Sequence, residues 1–214
     1  MLAAHEKKPR FRDPERTRER LLEAAFREVH RSGFQSAGID RILATTNVTK
    51  GALYYHFGSK EALGYAIVEE KIAKLTRDGW LLPMLREGEA IDILIGVVRQ
   101  IPARPKDVRA GCPLLLLSTE MSSLDEQFRE RLERIFRDWQ KGIATLLRKG
   151  QSQGTVRRGL NPDETARFLI AMVEGYGTLA KNAQDAKVWK RGIGNVARWL
   201  NTLRAPRQSR RGAR

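Results

Sequence analysis

The chain has 214 residues, 41% of them hydrophobic and 30% charged, which is enough to bury a full core and suits one small domain joined to one larger one. Its longest aliphatic run, four leucines at 114–117, falls far short of the roughly 20 residues a membrane-spanning helix needs, and residues 1–20 carry no secretion signal, so residence in the cytoplasm is expected. A single cysteine, Cys112, rules out an intrachain disulfide, and a net charge of +15 makes polyanions the natural partners.

Almost every segment carries helical periodicity, and strand signals are scarce, which predicts an all-α fold. Asp13-Pro14 reads as an N-cap followed by proline at the first helical position. Leu22, Phe26 and Val29 recur at helical spacing until Ser32-Gly33 stops the helix. A short helix follows from about Asp40 to Thr46, with Ile39, Ile42 and Leu43 inward, and Asn47 is expected to take the left-handed conformation of a tight turn. Thr49 caps a third helix over about 50–56, and Ser59 caps a fourth over about 60–79.

Longer helices are predicted at about 88–101, 113–122, 124–153, 162–183 and 186–203. Ser123-Leu-Asp-Glu126 and Asn161-Pro-Asp-Glu164 each place a capping residue three positions before a Glu. The segment 102–111, with two prolines, reads as an exposed, mobile loop. The expected organisation is a basic flexible arm over 1–13, a DNA-binding domain over 14–60, a helical regulatory and dimerisation domain over 61–203, and an Arg-rich disordered tail over 204–214.

Residues 39–57, two short helices around a turn, form a helix-turn-helix, in which the first helix braces on the phosphate backbone and the second enters the major groove. Leu53 and Phe57, four apart, face inward with Ile42 and Val48. The opposite face offers Lys50, Tyr54, Tyr55 and His56, with Gly51 and Ala52 small enough for close approach. Thr49 and Lys60 are placed to hold phosphates. Charge placement agrees: the excess of +15 is densest at the two ends of the chain, with twelve Lys and Arg against seven acids in residues 1–60 and five Arg with no acid from 204 onward.

Gly33-Phe34, Ile39-Asp-Arg-Ile42, Val48-Thr-Lys-Gly-Ala-Leu-Tyr-Tyr-His-Phe57 and Ser59-Lys-Glu-Ala-Leu63 resemble the DNA-binding domain of the TetR family over about residues 14–65. The resemblance implies DNA contacts at Thr49, Lys50, Gly51, Ala52, Tyr54, Tyr55, His56 and Lys60. One departure stands out: the family's Ser or Thr cap on the second helix is replaced by Ala37-Gly38, which removes a phosphate contact there, with Ser36 as the candidate substitute. The resemblance further implies a homodimer formed by the last two helices, a small-molecule effector held among the others, and control by release from a palindromic operator.

For the dimer interface the candidates are Phe168, Met172, Gly175 and Leu179 on the penultimate helix and Trp189, Ile193, Val196 and Leu200 on the last, with glycines at 175, 177, 192 and 194 allowing close helix approach. The alternative is that these helices close an intrachain core. Trp80, Met84, Met121, Phe136 and Trp139 are candidates to line an effector pocket, or else ordinary core. Cys112 sits at a helix start beside Arg109, a position that favours the thiolate. Its Gly-Cys-Pro-Leu setting is similar to the branch of the family that includes the N-ethylmaleimide-reductase repressors, which implies sensing of electrophiles. The alternative is an inert, buried thiol.

Rival functions find little support. Gly175-Tyr-Gly-Thr-Leu-Ala180 and Gly192-Ile-Gly-Asn-Val-Ala197 spell a dinucleotide fingerprint, but both fall inside predicted helices where no strand precedes them. The histidines at 5, 30 and 56 have no metal-ligand spacing, so no metal, cofactor or enzymatic activity is expected. A transcriptional activator and a nonspecific basic nucleic-acid binder remain as alternatives to a repressor.

Overall fold

A computed structural model describes residues 13–206. Residues 1–12 of the expected basic arm and 207–214 of the expected tail lie outside the described residues. The chain divides into two compact units, one ending at Ile67 and one beginning at Val68, where the sequence placed the boundary at 60/61.

Among the described residues, four helices build the first unit. α1 (Pro14–Ser32) starts at Asp13, whose carboxylate accepts from the Arg16 amide at 3.1 Å, and ends at Gly33, whose φ of 83° suits glycine. It buries Leu21, Leu22, Ala24, Ala25 and Val29. α2 (Ile39–Ala44) has Gly38 at its N-cap with no side-chain bond, and it buries Ile42. α3 (Lys50–Phe57) is capped by the Thr49 hydroxyl, which accepts from the Ala52 amide at 3.3 Å, and α4 (Lys60–Ala66) is capped by Ser59 at 3.0 Å.

The turn between α2 and α3 corrects one expectation. Among the described residues the non-glycine position with positive φ is Gln184, not Asn47. Thr45 and Thr46 donate their hydroxyls to the carbonyls of Ile42 (2.9 Å) and Leu43 (3.1 Å). The end of α2 is therefore satisfied without a left-handed residue.

In the second unit, the run predicted as one α-helix is helical but mixed. π-helical turns at Ile67–Ile72 and Arg77–Leu81 flank α5 (Ala73–Thr76), and a 3₁₀ turn follows at Pro83–Leu85. Then come α6 (Ala90–Gln100), α7 (Pro105–Ala110), α8 (Pro113–Met121), α9 (Glu126–Ser152), α10 (Pro162–Ala183) and α11 (Ala186–Asn201). α10 packs between α9 and α11, and α6 lies against α9 and α11. Phe128 and Leu132 of α9, Ile91 and Leu94 of α6, and Leu114 of α8 are fully buried at the core.

Three expectations are corrected here. The segment 102–111 is not a loop: Pro105 occupies a first-turn position where its missing N–H costs nothing, Arg104 pairs with Asp107 at 2.5 Å, and α7 buries Val108 while packing on α10. α9 is capped by Asp125, which accepts from the Phe128 amide at 3.0 Å, rather than by Ser123. Asn161 does cap α10, accepting from the amides of Asp163 and Glu164. The third concerns the tail, which does not lose order at 204. Arg157 and Ala205 donate their amides to Leu203 and Thr155 at 3.0 Å each, and the Arg204 guanidinium bridges Glu89 (3.0 Å) and Asp92 on the start of α6.

The α10–α11 hairpin turns at Gln184 (φ 52°) and closes tightly at Gly192, where a Cβ would lie 2.4 Å from the Tyr176 ring. That glycine serves packing within the chain, whereas a Cβ on Gly175 would meet nothing within 4 Å. No helix among the described residues is long and apolar enough to cross a membrane.

Overpacking of this kind costs about 1–3 kcal/mol. Gly192→Ala should therefore lower stability by that amount in denaturant unfolding. Gly96→Ala, in the open interior of α6, should raise it by about 0.5–1 kcal/mol. Equal stability of parent and Gly192→Ala would show that the hairpin is looser than described.

Candidate functional site

The rotation of α3 is set by two apolar anchors. Leu53 is fully buried and Phe57 is 8% exposed, with the Arg18 guanidinium 5.0 Å from the Phe57 ring centre. Because helical residues four apart share a face, the residues between them must point away. Tyr54 is 40% and Tyr55 84% exposed, which is unusual for large rings and leaves both hydroxyls and ring edges in solvent. Thr49, Lys50 and Gly51 are exposed beside them, and Ala52 is half-buried. A Cβ on Gly51 would meet nothing, so the glycine leaves the helix surface low at that point.

His56 is half-buried, its ring edge-on to Tyr55 at 5.3 Å and 6.4 Å from Phe57. It supports the tyrosine more than it extends the surface. Lys60 also differs from the sequence picture of a free point charge. Its ammonium donates to the Gln35 carbonyl at 3.1 Å and stands 5.0 Å over the Phe34 ring. Ala37 is buried and Gly38 makes no side-chain bond, so no hydroxyl caps α2.

Cys112 stands at the N-cap of α8, half-buried, as its place beside Pro113 predicts. Its chemistry is the reverse of the expectation. Burial pushes the thiol's pKa up, and the nearby Glu174 carboxylate pushes it further, against smaller opposing hydrogen bonds from the amides of Leu115 and Leu114. Burial likewise raises the Glu174 pKa, opposed by its hydrogen bond with the thiol. Arg109 is exposed on α7, and the main charge acting on the sulfur is negative. Sequence reading missed Glu174. The available signal was a lone acid on the buried stripe of α10 that includes Leu169, Val173 and Ala180.

Trp80 and Trp139 meet at 4.6 Å between ring centres, and Phe136 lies nearly parallel to Trp139 at 6.5 Å. Trp80, Met84, Met121 and Trp139 are buried, Phe136 half-buried. An open cleft of about 320 Å³ lies against the same helices, but its walls are Thr76, Leu81 and Ile135 with Glu69, Glu70 and Asp138 among its charged residues, not the aromatic residues named from sequence. Trp80 and Trp139 are instead buried in core packing, with Phe136 half-buried beside them. Among the described residues no group of three or more His, Cys, Asp or Glu is placed to hold a metal.

The residues proposed for a dimer interface separate into two sets. On α10, Phe168 (52%) and Leu179 (58%) are exposed, Gly175 is open and Met172 is half-buried, with the Phe168 ring edge-on to Trp199 at 5.2 Å. On α11, Val196 and Leu200 are fully buried, and Trp189 and Ile193 are under 10% exposed. The second set is a correction. The apolar stripe of α11 faces this chain's own core and leaves almost no side-chain surface for a second copy.

Comparison with known proteins matches a separate family model to each of the two compact units. Residues 21–67 match the family model described as bacterial regulatory proteins, tetR family, and residues 89–195 match the tetracyclin repressor-like C-terminal domain. The HTH-type transcriptional repressor DhaR of Mycobacterium sp. strain GP1 is 30% identical over 164 residues, covering 74% of this chain and 79% of that protein. The HTH-type transcriptional repressor NemR of Escherichia coli K12 is 27% identical over 192 residues, covering 87% and 94%. The crystal structure of a TetR transcriptional regulator from Chloroflexus aurantiacus superposes with a TM-score of 0.82 at 29% identity, over 91% of this chain and all of that one.

The environment of Cys112 has a direct kinetic consequence, since only the thiolate alkylates fast. Glu174→Gln should speed modification of Cys112 by N-ethylmaleimide severalfold, because the carboxyl group that helps hold the proton on sulfur is gone. A rate equal to the parent's would mean that the carboxylate does not act on the thiol.

Proposed function

The chain belongs to the TetR family of bacterial regulatory proteins and is a DNA-binding transcriptional regulator; from that premise we propose that it is a homodimeric repressor, released from a palindromic operator by a small apolar effector. The observation that carries the reading is the outward face of α3. Two large rings, Tyr54 and Tyr55, and Lys50 stand in solvent over a helix anchored by Leu53 and Phe57. Exposing such rings without a partner wastes apolar surface, and the major groove is the partner whose width fits an α-helix.

In this reading Lys50 and Tyr54 address base edges, while Thr49, Tyr55 and Lys60 address phosphates. Gly51 and Ala52 let the helix approach the groove floor, and His56 steadies Tyr55. Two copies of the chain are needed to read two half-sites, and the self-association surface is the exposed face of α10, with Phe168, Met172, Gly175 and Leu179. Repression rather than activation is favoured by the relatives DhaR and NemR, both named repressors. The protein works beside chromosomal DNA in the cytoplasm.

The signal is assigned to noncovalent binding in the second unit. A ligand shifts the regulator only through its different affinity for the DNA-competent and DNA-incompetent states. Covalent triggering at Cys112 is disfavoured because burial and Glu174 keep the sulfur protonated. Trp80, Met84, Met121, Phe136 and Trp139 act as the packed wall that an effector must displace.

A duplex selected by the protein from random-sequence DNA supplies the test. Lys50→Ala should relax base preference at one position in each half-site and weaken discrimination there by about 1–3 kcal/mol, leaving other positions unchanged. A variant that selects the parent's sequence with the parent's discrimination would remove α3 from the groove.

A further inference from the structure

The first unit also contains a cluster of charge that the α3 face does not use. Near the end of α1, the Glu28 carboxylate accepts hydrogen bonds from Arg31 (2.8 Å) and Ser32 (3.3 Å) and pairs with Arg41 Nε at 2.8 Å. Hydrogen bonding from Arg31, helped by Arg41, holds the Glu28 carboxyl below the usual carboxylate range against the opposing push of burial. The Arg41 side chain leaves α2 and passes over the helix start, where the Cβ position on Gly38 is 3.8 Å from its Nε, and it donates through Nη2 to the Ser36 carbonyl.

Lys60 comes to the same turn from the start of α4 and donates to the carbonyl of Gln35, the preceding residue. Neighbouring residues are about 3.8 Å apart along the chain, so two cations from different helices rest on adjacent carbonyls. Arg31 and Arg41 share the Glu28 carboxylate, and Arg41 and Lys60 rest on neighbouring carbonyls of the same turn. Bringing like charges together is unfavourable unless an anion joins them. The Arg41 side chain is 56% exposed, and among the described residues its Nη1 makes no bond. Glu28 holds the guanidinium through Nε and the Ser36 carbonyl holds it through Nη2, which leaves Nη1 to donate to a phosphate oxygen.

We propose that Arg41, seated beside Lys60 on the α1–α2 turn, grips a DNA backbone phosphate at the point where α2 has no capping hydroxyl. The glycine at 38 gives the guanidinium room to lie over the helix start, so the side chain takes over a contact that a Ser or Thr there would make. The contact is to phosphate alone and carries no base preference. It rests on the reading of α2 and α3 as the pair that docks on DNA.

The test uses the full chain and the duplex it selects from random-sequence DNA. Arg41→Ala should weaken binding to every sequence by about tenfold and lower the salt dependence by about one released ion per half-site, with the selected sequence and its specificity ratio unchanged. Arg41→Lys should keep the parent's salt dependence. Single neutral methylphosphonate linkages, scanned across a half-site, should reveal one phosphate whose neutralisation weakens the parent but not Arg41→Ala. Arg41→Gln serves as the neutral variant should Arg41→Ala not fold. A neutral variant with the parent's salt dependence, or one weakened by every methylphosphonate as much as the parent is, overturns the proposal. If the parent selects no sequence but Arg41→Ala still lowers the salt dependence on generic duplex, the phosphate contact stands and sequence-specific regulation falls.

Discussion

The burial of Leu53 and Phe57 is the constraint on which the surface proposed to face DNA depends. Each side chain contributes about 1.5–3 kcal/mol by leaving water, and because they lie one helical turn apart they fix the rotation of α3 about its axis. Once that rotation is fixed, Lys50, Tyr54 and Tyr55 have nowhere to go but outward. The caps at Thr49 and Ser59 hold the two ends of the segment, and Gly58, with φ of 77°, makes the sharp turn between them. Nothing in this surface needs a partner helix to organise it. The face proposed for recognition is preformed, and the charge beside it, from Arg41 and Lys60, is held in place by carbonyls of the α1–α2 turn.

Much of this was legible in the sequence because it is written locally. Asp13-Pro14, Thr49, Ser59 and Asn161 are caps whose effect depends on residues one turn away, and the structure places all four at helix starts. The spacing of Leu53 and Phe57 is a local signal too. The misreadings come where the deciding partner is distant or where two local signals compete. Pro105 was read as a loop breaker, but it is also a good first helical residue, and packing of Val108 on α10 decided between them. Ser123 lost its capping role to Asp125, two residues closer to the apolar stripe that starts at Phe128.

Cys112, which the sequence leaves open between a sensor and an inert thiol, depends on a distant partner. Its position at a helix start beside Arg109 predicts a reactive thiolate, and that logic holds only while the sulfur is solvated. Glu174 arrives from α10, 62 positions along the chain, and no spacing rule connects the two. α11 shows the same limit. Its stripe of Trp189, Ile193, Val196 and Leu200 is equally suited to a partner helix or to the chain's own core, and periodicity cannot distinguish them. Burial of all four within the single chain favours the core. Phe168 and Leu179 of α10 stay exposed, and the proposed contact with a second copy is placed there.

The central claim is that two chains, joined through α10, read one DNA site with two copies of α3. Analytical ultracentrifugation of the protein with a selected duplex tests it most directly. The account predicts two chains per duplex for the parent, and a monomer that no longer binds the duplex tightly for Leu179→Glu, a surface change that leaves helical content intact. A Leu179→Glu protein that still sediments as a dimer and still binds two chains per duplex would contradict it.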